Sequence, residues 1–346
     1  TLTKLNDRAV ALARSLKVTR GRKLRVDSTA VETNIHYPTD SAVLGDGVRI
    51  VSRLLRRARK VIGEAVDMGQ EIFRTRTRSV RRLAQQIHRI ARRKGEQAAE
   101  DMKETYAKLI KVAKASRAQA QEVCAALRQQ VDEAAQQLVE QFEHFLPMMD
   151  QIIEQAKRRV IDGEVVPATE KLLSLFEPHT QIIVRHKAGK PVEFGRKVFL
   201  DEVDGGIISR YDILKEVEPD DKQVEASLQG HQQRFGRPPD LLAGDRGCHS
   251  PRNEKLAEKA GVKRVVLPKK GRLSPERQKH EKQRWFRRGM RFRSGSEGRI
   301  SVLKRRYGLD RSLYHGEEGF GRWVGWGILT ANLATISRTA ATRQAK

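Results

Sequence analysis

The sequence has few cysteines and no long apolar segment. Cys124 and Cys248 are the only cysteines among 346 residues, which is too few for a disulfide framework or a four-cysteine zinc site. No apolar run approaches the ~18–20 residues that span a bilayer, and no signal peptide is visible at the start. We therefore expect a protein of the reducing cytoplasm with no membrane partner.

Acidic and aromatic residues are also scarce. The chain has 43 Asp and Glu against 69 Lys and Arg, for a net charge of +26, and only 5% of its residues are aromatic. Few aromatics together with 32% charged residues argue against a β-sandwich and favour helix. A charge this positive predicts a polyanionic partner, with nucleic acid as the first candidate.

The positive charge is concentrated in two stretches. Residues 49–94 contain fifteen Lys and Arg and three acids, and residues 263–311 contain eighteen and four, so that together they account for the whole net charge. A single arginine is more often part of a solvated helix face, but two dense clusters favour contact with DNA phosphates. Within the first cluster we select Arg74, Arg76 and Arg78 as candidate DNA-binding residues.

The middle of the chain lacks helix-breaking residues. No proline occurs over residues 39–146, and neither glycine nor proline occurs over 96–146, which predicts helix. We expect an antiparallel hairpin of residues 48–94 and 96–159, with near-heptad apolar spacing typical of a coiled-coil seam in its second half. The predicted seam residues are Tyr106, Ile110, Ala113, Ala120, Cys124, Leu127, Val131, Ala134, Leu138, Phe142 and Phe145.

This hairpin predicts the domain organisation. Residues 48–160 form a coiled-coil-like helical insertion, and residues 1–47 and 161–346 form the two parts of one α/β domain. We expect residues 49–94 to clamp DNA and the seam in 106–145 to join copies of the chain, giving a homo-oligomer on DNA.

Period-two patterns predict a sheet on both sides of the insertion. Residues 24–31 alternate like a strand, and 181–185, 192–200 and 207–213 predict a three-stranded antiparallel meander. Residues 241–245 predict a short buried strand that ends on an acid. The remaining predicted elements are a strand at 262–267 and helices at 4–18, 220–235, 251–260, 295–307 and 319–338.

Three acids stand apart from the acids on helix faces. Asp27 lies in the first predicted strand, Asp245 ends a later strand, and Glu297 is nearly alone among bases. A carboxylate on an apolar strand needs a partner, because an unpaired buried charge costs several kcal/mol. Mg²⁺ prefers such oxygen ligands, although each acid taken alone is more often structural. Four acids compete with Asp245 for the second position and rank lower, because they lie at a hairpin turn or a helix start: Asp201, Asp204, Asp220 and Asp221.

The glutamate region carries a recognisable spacing. The DDE transposases of bacterial insertion sequences have the signature Y-x2-R-x3-E-x6-K, and Arg293, Glu297 and Lys304 fall at that spacing. Met290 holds the tyrosine position, which is a departure from the pattern. The chain resembles these transposases.

The two aspartate regions extend the resemblance. Residues 244–250, followed by Asn253, are similar to the family's D-x-G-[YFH]-x-S region, with Cys248 in place of the usual aromatic. Residues 26–32 resemble its D-[ST]-T segment, and residues 36–41 resemble the segment that follows in the subgroup filed as not classified yet. In all, the resemblance covers residues 22–47 and 180–335.

The resemblance implies a fold, a reaction and a set of ligands. It implies an RNase H-like mixed sheet flanked by helices, in which Asp27, Asp245 and Glu297 ligate two Mg²⁺ ions and Mn²⁺ can substitute. Arg293 and Lys304 then contact DNA beside the scissile bond. The implied activity is cleavage at transposon ends and strand transfer into target DNA, in a bacterial, nucleoid-associated protein.

Two other functions remain open from the sequence. One is an RNase H-like DNA nuclease that cleaves without joining strands. The other is a non-catalytic coiled-coil DNA-binding protein whose acids are structural. Because the chain starts at Thr1 and shows no obvious helix-turn-helix, we also expect a preceding segment.

Overall fold

The computed structural model describes residues 1–62, 70–187, 189–216 and 218–344, and it divides the chain into two units. The first, called the sheet unit, comprises Thr1–Asn34 and Gln181–Lys346. The second, called the helical unit, comprises Ile35–Thr180. The chain thus leaves the sheet unit once and returns to it once.

The elements follow one another along the chain in this order. The helices are α1 (Leu2–Ser15), α2 (Asp40–Ile62), α3 (Thr77–Ile90), α4 (Glu96–Leu127), α5 (Glu133–Ala156), α6 (Val224–Phe235), α7 (Pro251–Lys259), α8 (Pro275–Lys282), α9 (Arg284–Tyr307) and α10 (Gly316–Gln344). The strands are β1 (Lys23–Glu32), β2 (Gln181–Lys187), β3 (Lys190–Val203), β4 (Ile207–Ile213), β5 (Leu241–Ala243) and β6 (Arg264–Val266). Short 3₁₀ or π segments lie at Gln70–Phe73, Lys157–Ile161, Ala168–Glu170 and Asp220–Gln223.

The sheet unit contains a mixed open sheet flanked by helices. Among the described strands the order is β2-β3-β1-β5-β6, with β4 also paired to β3. Strand β3 is antiparallel to its partners β1, β2 and β4, whereas β5 is parallel to both β1 and β6. The predicted mixed sheet and its antiparallel meander are confirmed.

Side chains of β1 alternate between two apolar clusters. Leu24 and Val26 are fully buried in a cluster with Val10 of α1 and Leu228 of α6. Val31 faces the other way, into a cluster with residues of α9 and α10. Because successive strand residues point to opposite faces, Arg25 and Asp27 lie on the same face as Val31, which is the face covered by α9.

Four helices of the helical unit share one apolar core. Its fully buried members include Leu44 and Leu55 of α2, Leu109 and Leu127 of α4, and Phe142 of α5. The expected stripe is therefore largely buried within one chain and is not an open seam for a second copy. The two-helix hairpin prediction is replaced by a four-helix arrangement, while residues 63–69 of the first predicted helix lie outside the described residues.

The long predicted helix is interrupted at residues 128–132. Helix α4 ends at Leu127, and the side chain of Asp132 caps α5 by accepting from the backbone N–H of Ala135 at 3.1 Å. Val131, a predicted seam residue, is 92% exposed in this connection. A capping aspartate thus starts α5 without glycine or proline, after α4 has ended with Arg128 as its C-cap.

The helical unit is also longer than the predicted insertion 48–160. Helix α2 begins at Asp40, and Val43 and Leu44 pack into the helical core. At the other end, Leu172 and Leu175 reach the same core. The unit therefore begins before position 48 and ends after position 160. Within the part of the chain that the structure describes, we find no helix long and apolar enough to cross a membrane.

Candidate active site

Asp27 lies in the middle of β1 and is held on three sides. The hydroxyl of Ser296 in α9 donates to its Oδ2 at 2.6 Å, and the backbone N–H of Ser28 donates to Oδ1 at 2.8 Å. The guanidinium of Arg293 lies 3.4 Å from Oδ2. Burial raises the pKa of Asp27 most strongly, Ser296, Arg293 and Ser28 lower it, and the charge of Asp245 raises it again. This carboxylate is therefore enclosed and close to a second one.

Asp245 comes to Asp27 through the strand register. In the parallel pair of β1 and β5, Arg25 is opposite Ala243, the last residue of β5. Asp245 follows two residues later, and its charge raises the pKa of Asp27. Leu241 and Ala243 pack with Phe286 of α9, and Asp245 therefore follows on the α9 face. Its Oδ1 accepts from the backbone N–H of Cys248 at 3.1 Å.

Cys248 serves the packing of this turn. Its side chain is fully buried, and burial, followed by the charges of Asp245 and Asp220, raises the pKa of its thiol well above the usual value. A thiol that resists ionisation is a poor nucleophile. The next residue, His249, lies 3.7 Å from Glu254.

Glu297 and Lys304 occupy the same helix as Arg293. Helix α9 begins at Arg284, early enough to carry all three residues. The Glu297 side chain is 71% exposed, and its Oε1 lies 3.0 Å from Arg293, which also pairs with Asp27. Arg293 therefore links Glu297 to Asp27.

Lys304 contacts other acids. Its ammonium lies 3.9 Å from Glu193 and 4.0 Å from Asp310, and its side chain is 20% exposed. Lys304, which is predicted to contact DNA beside the scissile bond, is therefore already engaged in ion pairs in this structure.

Arg25 anchors α9 beside the site, a function that the sequence analysis missed. Its guanidinium pairs with both carboxylate oxygens of Glu202, at 2.8 and 2.6 Å, and donates to the carbonyl of Phe292 at 2.6 Å. A Cβ at Gly295 would overlap this guanidinium, so glycine allows the close approach. In the sequence, only the position of Arg25 could have indicated this function: it precedes Asp27 by two residues on an alternating strand and so lies on the same face.

Asp220 is a further acid of the site that the sequence analysis ranked low. Its Oδ2 accepts from the hydroxyl of Ser28 at 3.0 Å, and its Oδ1 lies 2.6 Å from the ammonium of Lys197. A Cβ built on Gly247 would lie 2.8 Å from Asp245 Oδ1 and 3.4 Å from Asp220 Oδ2. These two carboxylates therefore flank one small space above Gly247.

Two other competing acids have structural contacts. Asp201 is buried and accepts from Ser227 at 2.7 Å. Asp204 accepts from the backbone N–H groups of Arg20, Arg22 and Lys23 in the turn before β1. These contacts agree with the low rank of Asp201 and Asp204 as candidates for the second acid of the site. The contacts of Asp220 do not agree with its low rank.

The carboxylates of Asp27, Asp245 and Glu297 are the possible metal ligands of the site. Among the described residues, no three histidine, cysteine or acidic side chains form a group ready to hold one. Asp27 and Asp245 are neighbouring oxygen donors, the type that Mg²⁺ prefers, and the space above Gly247 borders Asp245. Their chemistry fits a hard divalent cation, while Glu297 is separated from them by the Arg293 guanidinium.

The three predicted DNA-binding arginines lie in the helical unit and differ in their surroundings. Arg74 lies 3.5 Å from Glu71. Arg76 donates to Gln119, and burial, followed by the charge of Arg74, lowers its pKa. Arg78 is exposed on α3 and has no ion pair with any described residue.

Compared with known proteins, the chain matches no family model, no curated protein and no solved structure. The proposed function therefore depends on the geometry of the site.

Proposed function

We propose that the protein is a DDE transposase that cleaves DNA at transposon ends and transfers the strands into target DNA, with Asp27, Asp245 and Glu297 as its catalytic acids. The observation that carries the proposal is the juxtaposition of residues far apart in the sequence. Asp245 follows β5, the strand beside β1, and its charge acts on Asp27, while Ser296 and Arg293 of the Glu297 helix both contact Asp27. A purely structural acid would not require this convergence.

The sheet topology supports the proposal that the sheet unit has an RNase H-like fold. Strands β1, β3 and β4 form an antiparallel set, and β5 and β6 continue the sheet in parallel beside β1. An acid on the first strand, one after a later strand and one on a late helix are similar to the RNase H-like arrangement. In this proposal the helical unit is inserted between β1 and the rest of the sheet.

The proposal includes two Mg²⁺ ions, for which Mn²⁺ can substitute, held by Asp27, Asp245 and Glu297. When bound, such ions activate a nucleophile and stabilise the leaving oxygen of a phosphodiester. Ser296 and the Ser28 N–H orient the Asp27 carboxylate, since both donate to it.

Cations of the chain supply the complementary charge. Arg293 is 18% exposed and pairs with two of the three acids. A DNA phosphate offers the same planar, bidentate recognition to a guanidinium as a carboxylate does. We infer that Arg293 passes from Asp27 and Glu297 to a phosphate of the bound DNA, which leaves both carboxylates free. Lys304 would contact DNA further along α9.

The test uses the full chain and a supercoiled plasmid carrying its coding sequence with the flanking DNA. We expect nicks at the flanks with Mg²⁺, no nicks with EDTA, and joined products when a target plasmid is added. Glu297→Gln should abolish both reactions. Glu318→Gln is the matched control, because Glu318 forms a similar exposed i,i+4 pair, with Arg322 at 3.5 Å.

The remaining outcomes separate the alternatives. Mg²⁺-dependent nicking without any joined product would identify a DNA nuclease. DNA binding with no cleavage under any metal, and no effect of Glu297→Gln, would identify a non-catalytic DNA-binding protein. Self-association on DNA would be measured by analytical ultracentrifugation with short duplexes of the transposon ends, and a monomer on each duplex would contradict the proposed oligomer.

A further inference from the structure

A basic groove lies between α2 and α3 of the helical unit. It has a volume of about 890 Å³, and among the described residues its lining contains no Asp, Glu, Phe, Tyr or Trp. The cationic and titratable side chains on its walls are His36, Arg49, Arg78, Arg81, His88 and Arg89. The groove is therefore a surface of one charge sign.

The α3 wall of the groove carries three arginines. Arg78, Arg81 and Arg89 are exposed and form no ion pair with any described residue. Two other arginines of the same unit are neutralised: Arg93 pairs with Asp101 at 2.7 Å and Arg117 pairs with Asp150 at 2.8 Å. No acid occurs between Glu71 and Glu96 in the sequence. The positive charge of this wall is thus available to a ligand.

Packing holds this wall in place. Val80, Leu83, Ile87 and Ile90 of α3 are buried in the helical core, so the face that carries the three arginines is turned toward the groove. Residues 78 to 89 extend along ~16 Å of helix at 1.5 Å per residue. That distance corresponds to about five nucleotides of one DNA strand at 3.4 Å each.

The α2 wall is ordered by a buried acid. Asp46 is 1% exposed; its Oδ2 lies 2.6 Å from His36 Nε2, and its Oδ1 pairs with Arg49. The Arg49 side chain is itself 63% exposed. Asp46 therefore fixes two side chains at the rim without entering the lining of the groove.

We propose that this groove binds the phosphate backbone of duplex DNA, independently of base sequence. Arginine matches phosphate in geometry as well as charge. The lining contains no Phe, Tyr or Trp among the described residues, so the large aromatic rings on which successive bases usually stack are not found there. The choice of DNA over RNA rests on the proposed function, whereas the presence of a polyanion site rests on the groove alone.

The experiment measures binding of the full chain to a fluorescein-labelled 40-bp duplex in EDTA, over a range of KCl concentrations. Each phosphate contact contributes close to one unit to the slope of log K against log salt. Arg78→Ala/Arg81→Ala/Arg89→Ala should reduce the slope by about two to three units and weaken binding about tenfold or more. The loss should be equal on two duplexes of unrelated sequence.

Two further variants control for net charge and folding. Lys103→Ala/Lys111→Ala/Lys114→Ala removes the same charge from exposed positions of α4, and it should change the slope by less than one unit. The triple Arg→Lys variant of the groove keeps the charge and should retain most of the slope, and circular dichroism verifies that each variant is folded.

Several results would overturn the inference. Equal losses in the groove and α4 variants would show an effect of net charge alone. A groove-dependent preference for duplex RNA or for polyglutamate would assign the groove to another ligand. Because the assay contains no metal and follows no cleavage, a failure of the proposed transposase reaction leaves its result unaffected.

Discussion

The hydroxyl of Ser296 on α9 donates a 2.6 Å hydrogen bond to the carboxylate of Asp27 on β1, across 269 positions of sequence. This contact joins the central strand to the helix that carries Glu297. It also gives a buried carboxylate a neutral donor on the side where α9 packs. Ser296 is therefore a positioning residue for the proposed chemistry.

Ser296→Ala should slow DNA cleavage about 10- to 100-fold, because a hydrogen bond to a charged group contributes about 1.5–3 kcal/mol. Ser296→Thr keeps the hydroxyl and should recover most of the rate. Ser294→Ala is the control, since that hydroxyl bonds to Met290 O within α9. The rate is measured on the supercoiled plasmid at saturating Mg²⁺, and a wild-type rate for Ser296→Ala would remove Ser296 from the site.

Asp245→Asn should abolish cleavage while DNA binding stays within a few-fold of wild type. The substitution keeps the shape and the acceptor for the Cys248 N–H, but it removes the charge that a divalent cation requires. Nicking and filter binding are measured on the same preparation. Cleavage at the wild-type rate would show that Asp245 is a structural acid.

Arg25→Met should destabilise the sheet unit by about 3–5 kcal/mol, because it leaves the Glu202 carboxylate buried and unpaired. The Glu202 side chain is only 5% exposed, and burial raises its pKa despite the nearby Arg25. Arg25→Met/Glu202→Met removes both charges and should recover most of the loss. Urea unfolding gives the free energies, and additive losses in the double variant would contradict the pairing.

Because His231 is buried, we expect the free energy of unfolding to decrease in acid. Burial lowers its pKa to about 4 from 6.5, and its Nε2 lies 3.0 Å from the carbonyl of Gly21. Below pH 6.5 the unfolded chain binds a proton that the folded chain does not bind until about pH 4. The free energy of unfolding should therefore fall by about 3 kcal/mol as the pH falls through this window.

His231→Gln tests the assignment, because it does not titrate in this range. Thermal unfolding between pH 7 and pH 4 should show a smaller decline for this variant than for wild type. Parallel declines in both proteins would place the pH dependence at other groups.

The three arginines selected from the sequence should differ when changed singly. Arg78→Ala should reduce the salt slope of DNA binding by about one unit, since Arg78 lines the basic groove. Arg76→Ala should reduce it less, because Arg76 donates to Gln119, and Arg74 is paired with Glu71. Equal slope changes in all three would show that DNA reaches beyond the groove along the segment before α3.

Much of the fold could be predicted because its signals are local. Alternation in residues 24–31 and 207–213 identified β1 and β4 to within a residue or two of their ends. The helix predicted at 295–307 was correct at its C-terminal end, but α9 begins at Arg284 and therefore also contains Arg293. The break before α5 was missed because Asp132 is a cap only if its side chain folds back onto Ala135.

The sequence by itself determined the alternation that turns Asp27 toward one face of β1, the helical nature of residues 48–62, 77–90, 96–127 and 133–156, and the excess of positive charge. Only the tertiary structure decided which residues meet. Asp220 reaches Ser28 across 192 positions, and Arg25 anchors α9 across 267. Such pairings depend on strand order, register and helix packing, which no short window of sequence contains. Hydrophobic periodicity and secondary-structure propensity report on residues that are near neighbours along the chain. The site is built from residues on or next to β1, β3, β5 and α9, so it exists only after those elements have packed.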